Sequence, residues 1–173
     1  MHHQDQTAAL EAANHAVAGA RGNEAGIQEF VTFAIGDDRY GVDIMSVREI
    51  KGWSGVSPLA RQPDFVRGVL NLRGAMVPIV DLRCRFGQGM TDATATHIVI
   101  IVSISDQLVG LLADQVLDIV PYEASKIQPV PRVTRDSDVN LFGGLLTDED
   151  GMITLIDLTE IAAARAEVAS EAA

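Results

Sequence analysis

Residues 65–82 read FVRGVLNLRGAMVPIVDL, two short apolar runs on either side of the corner Asn71-Leu72-Arg73-Gly74. Apolar runs of this length with glycine beside them are typical of short buried strands. Because glycine tolerates a positive φ, Gly74 permits a sharp corner from which Arg73 projects. The stretch therefore predicts a β-hairpin, and it makes Arg73 the first candidate for contact with another molecule.

The same pattern occurs a second time later in the chain. Residues 68–82 match residues 144–158 with a constant shift of 76. Residues 28–50 match residues 97–119 with a constant shift of 69. The two shifts differ by 7, which places a longer connection in the second copy, within the proline-containing stretch 121–140. The chain is therefore predicted to be a tandem duplication.

The corner is where the two copies differ. Asn71-Leu72-Arg73-Gly74 in the first copy corresponds to Thr147-Asp148-Glu149-Asp150 in the second. An acidic residue, Glu149, thus takes the place of Arg73. The difference indicates that the exposed arginine belongs to one copy only.

The length and composition predict a folded body. The 173 residues suffice for one domain or for two small domains with a shared core, and a body of this size buries roughly 70% of its unfolded surface. Hydrophobic residues make up 47% of the chain, which is typical of an ordered protein. The single cysteine, Cys84, excludes an internal disulfide and favours a reducing compartment.

The charge argues against two classes of partner. With a formal net charge of −11, the chain repels the phosphates of nucleic acids and the surface of anionic membranes. The N-terminal sequence lacks the apolar run of a signal peptide, and the longest apolar run, 98–102, is too short to span a bilayer. We therefore expect a soluble cytoplasmic protein with no nucleic-acid partner and no direct membrane insertion.

Short strands, tight turns and brief helices predict an all-β fold of two small closed barrels. Each copy has roughly 70 residues, a length at which a separate core is marginal, so the copies either pack together or exchange strands. The predicted boundaries are a flexible N-terminal tail at 1–26, a folded region at 27–168 with repeats at about 28–87 and 97–158 and a terminal helix at about 158–168, and a C-terminal tail at 169–173.

The segment MSVREI, residues 45–50, is compatible with a turn of helix or with a third strand. The glycine-bounded apolar runs around it favour a strand. In a regular strand, Val47 and Glu49 share one face, while Arg48 and Ile50 share the other.

No motif for catalysis or cofactor binding occurs in the chain. Phosphate-binding glycine loops and the His-Glu-x-x-His motif are absent. His97 is the only histidine outside the N-terminal 26 residues, which leaves a metal site short of ligands. Asp81 and Asp157 precede matched short helices, so N-capping explains them better than an acid pair. We therefore predict no cofactor, no metal and no enzymatic activity.

Contact with other molecules is the function that remains. The corner Arg73, the face formed by Val47 and Glu49, and the groove between the two barrels are the places where a partner is expected. An ordinary surface salt bridge between Glu49 and Arg73, worth roughly 0–1 kcal/mol, is the alternative.

At these residues the sequence resembles the CheW family of bacterial chemotaxis coupling proteins. The matching segments are FVTFAIGDDRYGVDIMSVREI, PDFVRGVLNLRGAMVPIVDLRCRFG, VGLLADQVLDIV and GMITLIDL, within residues 28–164. The resemblance implies two five-stranded barrels around a shared core. It also implies a non-enzymatic adaptor that couples the cytoplasmic tips of chemoreceptors to the regulatory domain of the histidine kinase CheA, in arrays at the membrane.

The resemblance further implies a receptor-binding groove that grips a helical hairpin. Its residues in this sequence are Val47, Glu49, Gly68, Arg73, Val116 and Ile119. Kinase contacts are expected on exposed barrel edges, with no residues assigned.

Other functions stay open at this point. A small barrel can bind a small ligand or an oligonucleotide, but only 5% of the residues are aromatic and few are basic. A scaffold of the same type in a sensory pathway other than motility is a further alternative.

Overall fold

The computed structural model describes residues 2–20, 26–131 and 141–161. About half of these residues belong to strands. The helices are α1 (His2–Gly19) and α2 (Leu82–Arg85), with 3₁₀ turns at Ile44–Ser46 and Ala124–Lys126 and helical backbone at 158–161. The strands are β1 (Ile27–Ile35), β2 (Asp38–Asp43), β3 (Val47–Gly52), β4 (Val66–Leu72), β5 (Ala75–Asp81), β6 (Ile98–Ile104), β7 (Gln107–Ala113), β8 (Gln115–Glu123), β9 (Phe142–Asp148) and β10 (Gly151–Ile156).

The ten strands form two five-stranded sheets, each built from both copies of the repeat. The first sheet has the order β8-β1-β2-β10-β9 and the second the order β3-β6-β7-β5-β4. Strands β1 to β5 of the first copy correspond in order to β6 to β10 of the second. Replacing each strand by its equivalent converts one sheet order into the other. The opening hairpin of each copy, β1–β2 or β6–β7, is thus inserted among the last three strands of the other copy. Strand exchange is therefore the arrangement found, and a single repeat is not itself a barrel.

One isolated antiparallel bridge closes each sheet into a barrel. Ser57, beyond the end of β3, exchanges backbone hydrogen bonds of 2.9 and 2.8 Å with Val69 of β4. Gln128, beyond the end of β8, exchanges bonds of 3.0 and 2.8 Å with Leu145 of β9. These bridges join the outer strands of each sheet. The predicted fold class, two pseudo-repeated five-stranded barrels with short helices, is confirmed. We call the sheet containing β1 the first barrel and the sheet containing β6 the second barrel.

The largest apolar cluster is shared by the two barrels, and a smaller one belongs to each barrel alone. Strand β6 shows how the sequence supplies both. Ile98, Ile100 and Val102 lie in the shared cluster, whereas Val99 and Ile101 lie in the cluster of the second barrel. Because both faces of β6 are buried, the strand is apolar at every one of these positions.

The N-terminal segment differs from the flexible tail predicted for residues 1–26. Helix α1 packs on the body, with Ala13 only 5% exposed and Leu10 and Val17 against the shared core. Three of the five packed residues are alanine, so the apolar stripe is weak in the sequence. A stripe of this kind still packs, because alanine lets the helix backbone approach the sheet closely.

Part of the loop predicted within residues 121–140 is strand. Strand β8 continues through Pro121, which pairs with Glu29 of β1, although the sequence places Pro121 in a loop. Residues 132–140 of that predicted loop, and the terminal helix beyond residue 161, lie outside the described residues. In the described ranges, no helix is both long and apolar enough to cross a lipid bilayer.

Candidate functional site

Arg73 occupies a two-residue turn between β4 and β5. Arg73 has φ 51° and Gly74 has φ 91°, and two positive φ angles are the mark of a type I′ hairpin turn. The Gly74 N–H donates to Asn71 Oδ1 at 2.9 Å, which fixes the corner. The Arg73 side chain is 80% exposed. The predicted hairpin and the projecting arginine are both confirmed.

Glu49 of β3 is the partner of Arg73. Arg73 Nη2 lies 3.3 Å from Glu49 Oε2, and the glutamate side chain is 26% exposed. A single long contact at the surface contributes roughly 0–1 kcal/mol to stability. The pair therefore orients the two groups but leaves most of the guanidinium available.

The predicted alternation along β3 is wrong, because the strand contains a bulge. Its register with β6 shifts between Val47 and Glu49. An extra residue reverses the facing of the residues that follow. Val47 and Ile50 are each 2% exposed and both lie in the shared core, while Arg48 is exposed. With α1 in place, Val47 therefore offers almost no surface to a partner.

Gly68 lies beneath another part of the backbone rather than in an open groove. Its φ is 145°, and a Cβ there would stand 2.2 Å from the carbonyl oxygen of Ser57. This is where Ser57 bridges to Val69 and closes the second barrel. Gly68 is thus explained by barrel closure, and a substitution would act through the fold.

Val116 and Ile119 lie on β8, the strand of the first barrel that corresponds to β3. Both are half-buried and pack against the shared core. Helix α1 contacts β3 and β8. We call the surface formed by these two strands the β3–β8 groove. The structure therefore brings Glu49 and Arg73 together as a pair. It places Val116 and Ile119 on a strand that α1 contacts along with β3, and it places Gly68 against Ser57 where the second barrel closes.

The sequence prediction missed Asn14 of α1. Its Nδ2 donates to the Ile50 carbonyl at 2.9 Å, and the Ile50 N–H donates to its Oδ1 at 2.8 Å. The sequence signal for this contact was the helical spacing of Leu10, Ala13 and Val17. Asn14 is a polar residue directly beside that apolar stripe.

A network of charges lies near one end of the groove. Arg83 Nη2 lies 2.6 Å from Asp114 Oδ2, and His97 Nε2 lies 3.5 Å from Asp114 Oδ1. Burial favours the protonated form of Asp114, but hydrogen bonds from the Gly36 N–H and Arg83 outweigh it and lower the pKa. The carboxylate thus stays charged and links α2 to the β1–β2 turn.

The described residues carry no arrangement suited to covalent chemistry. Burial, and next the charge of Asp81, raises the pKa of the Cys84 thiol, whereas a reactive cysteine needs a lowered pKa. Within those ranges, no group of three or more His, Cys, Asp and Glu side chains could hold a metal ion.

The fold defines a double-barrel protein with an exposed arginine turn beside strand β3. Comparison with known proteins identifies the family. A model of the CheW-like domain matches residues 29–166, so the chain belongs to the CheW family. The chemotaxis protein CheW of Rhizobium meliloti is 39% identical, over 79% of this chain and 88% of that protein. A probable chemotaxis protein CheW of Rhizobium etli is 41% identical, over 86% of this chain and 94% of the relative.

A solved structure agrees with the fold. The crystal structure of the scaffolding protein TtCheW from Thermoanaerobacter tengcongensis superposes with a TM-score of 0.71 at 32% identity, covering 80% of this chain and 90% of that one. These matches give the chain the role of a chemotaxis adaptor. They do not favour a small-ligand or oligonucleotide-binding role.

Proposed function

We propose that the chain binds the cytoplasmic tip of a chemoreceptor at the β3–β8 groove while it holds the CheA histidine kinase elsewhere on its barrels. Binding both at once raises their effective concentration, and a rigid body passes a shift of the receptor to the kinase. No covalent step is required. The protein would act in the cytoplasm, recruited to receptor arrays.

The observation that carries the proposal is the 80% exposed Arg73 beside β3. A guanidinium on a fixed turn presents several donors to a carboxylate or to carbonyls of a partner helix. Charges at the rim of such an interface set register and association rate, while apolar contacts on the strands supply most of the affinity.

Arg73→Glu tests this proposal. We expect affinity for a soluble chemoreceptor tip fragment to fall about tenfold, because a favourable rim charge becomes repulsive. Stability should fall by no more than about 1 kcal/mol, since the side chain is exposed and its pair with Glu49 is a surface contact. Titration calorimetry measures the affinity and urea unfolding the stability. Lys126→Glu is the control, because Lys126 is also exposed and lies beyond the other end of β8 from Val116.

A double charge swap separates partner binding from the internal pair. Glu49→Arg with Arg73→Glu restores an ion pair of reversed polarity. If the partner contacts Arg73, the double variant still binds the receptor fragment with reduced affinity. Full recovery of affinity in the swap, or unchanged affinity in Arg73→Glu alone, would contradict a direct contact.

A further inference from the structure

Helix α1 lies on the same two strands that form the β3–β8 groove. Ala13 is 5% exposed and belongs to the shared core, and Leu10, Ala16, Val17 and Ala20 pack against that core. Those that belong to α1, namely Leu10, Ala13, Ala16 and Val17, recur at helical spacing along one side of the helix. The groove therefore already contains a helix, which comes from the protein's own N-terminus.

Asn14 seats this helix on the edge of β3. In the second sheet β3 is an outer strand, so its free edge has backbone groups without a strand partner. The Asn14 carboxamide satisfies both groups of Ile50, donating at 2.9 Å and accepting at 2.8 Å. One side-chain amide thus takes the place of a peptide group from a neighbouring strand.

The apolar contact between the N-terminal segment and the body is made mostly by alanine side chains. Toward the start of α1, the Gln6 amide donates to the Thr96 carbonyl. Gln6 and Ala9 of α1 line an open cleft of about 530 Å³ together with His97, Asp114 and Val116. The packed stripe is mostly alanine, which buries little apolar area, and stabilisation scales with the area buried. A helix held in this way can be displaced.

We infer that α1 is an intramolecular occupant of the β3–β8 groove, which a chemoreceptor helix must replace in order to bind. The inference rests on the proposed function. The occupant indicates the chemistry of the partner surface: small aliphatic side chains, with a polar group placed to bond the Ile50 backbone. Because α1 is joined to β1 by a short connection, it competes at high effective concentration. The apparent affinity for a partner falls in proportion to the fraction of open molecules.

The test compares Ala13→Glu with Ala12→Glu in the full chain. Both introduce the same residue at adjacent positions of α1, but Ala13 is buried and Ala12 is exposed. Amide hydrogen exchange at Ile50 and within α1 reports release of the helix, because an isolated helix of this length is marginal in water. Titration with a soluble chemoreceptor tip fragment reports binding.

We expect Ala13→Glu to speed exchange at both places and to tighten binding by about three- to tenfold. Ala12→Glu should change neither the exchange rates nor the affinity for the fragment. Asn14→Ala, compared with His15→Ala, repeats the test without adding charge, and exchange within α1 is its measure of release.

Each outcome decides a separate point. Unchanged exchange in both Ala13→Glu and Asn14→Ala overturns the seating of α1. Release of α1 with unchanged or weaker binding overturns the competition and makes α1 only a cover for the edge of β3. A fragment that binds none of the four variants nor the parent chain overturns the proposed receptor role, while release of α1 is still read from exchange.

Discussion

The Asp81 carboxylate is fully buried at the end of β5 and accepts four hydrogen bonds. The Thr91 N–H and hydroxyl donate at 2.8 and 2.7 Å, the Cys84 N–H at 3.3 Å and Arg67 Nη1 at 3.4 Å. The bond to Cys84 is the predicted helix cap of α2. The two bonds from Thr91 hold the connection that leads to β6, so Asp81 anchors the passage from the first copy to the second.

Asp81→Asn is expected to lower the free energy of unfolding by about 3 kcal/mol. Both carboxylate oxygens face donors, so an amide nitrogen at either place meets another donor and leaves Arg67 without its carboxylate. Asp157→Asn is the matched control. Among the described residues, the Asp157 carboxylate accepts from the N–H groups of Thr159 and Glu160. Asparagine caps as well as aspartate, so the loss of unfolding free energy should stay below about 0.5 kcal/mol. Equal shifts of the urea midpoint in Asp81→Asn and Asp157→Asn would contradict the inference that burial makes the Asp81 carboxylate the more important of the two.

Single residues could be predicted from the sequence where the signal was local. Arg73 and Gly74 form a turn whose residue types prescribe its geometry. Val47 could not be placed correctly, because a bulge depends on the pairing with β6 and leaves no mark in the pattern of β3 alone. The part of Gly68 in barrel closure could not be predicted for a related reason, since what lies over it is the backbone of Ser57 in a separate loop.

At the scale of elements, two equivalent glycines allow the exchanged hairpins to fit. Gly41 of β2 and Gly110 of β7 lie where each hairpin runs parallel to a strand of the other copy, β10 or β5. A Cβ on Gly110 would stand 2.4 Å from Ile79 Cδ1 and 2.8 Å from Val99 Cγ1. A Cβ on Gly41 would stand 3.1 Å from Leu155 Cδ2. The same contact is thus tighter in the second barrel.

Gly110→Ala is expected to destabilise the protein by about 1–3 kcal/mol, the usual range for overpacking a core. Gly41→Ala serves as its control. There the smaller overlap is partly offset by the lower entropy of the unfolded chain, so the change should stay below about 1 kcal/mol. Thermal unfolding of both variants measures the difference. A larger loss in Gly41→Ala would mean that the first barrel is the more tightly packed one.

The elements themselves were largely predictable, apart from α1. The strands could be predicted from apolar runs between glycines. Because the sequence repeats, each strand assignment is supported by its equivalent in the other copy. Helix α1 has no counterpart in the second copy within the described residues. Its apolar side is mostly alanine, and its firmest contact is a polar one, from Asn14 to the backbone of Ile50. Neither feature produces a helical pattern of hydrophobic residues that would predict the packed helix from the sequence.

For the whole molecule, the exchange of hairpins makes the copies mutually dependent, and the two barrels fix it by different chemistry. In the first barrel Arg39 of β2 binds Asp148 of β9 through two contacts of 2.8 and 2.6 Å. The equivalent positions in the second barrel are Leu108 and Leu72, which belong to one apolar cluster. The acidic corner of the second copy thus serves to join the copies, whereas the corner of the first copy is free to present Arg73.

Asp148→Asn tests the ion pair through its dependence on pH. The hydrogen bond from Arg39 lowers the pKa of Asp148 to about 2, below its ordinary value of 3.8. Because the folded-state pKa is the lower one, the pair stabilises the fold above about pH 4, and this contribution is lost as the pH falls toward 2. At pH 7 the variant should be less stable by about 1–2 kcal/mol.

The difference in melting temperature between the parent chain and Asp148→Asn should therefore narrow steadily from pH 5 to pH 2.5. Glu149→Gln, a change to the adjacent exposed carboxylate, should show a small difference that does not follow this course. A constant gap for Asp148→Asn across the same range would mean that its effect comes from lost packing at the corner. A narrowing gap would place the charge of Asp148 among the interactions that hold the hairpin of one copy inside the barrel of the other.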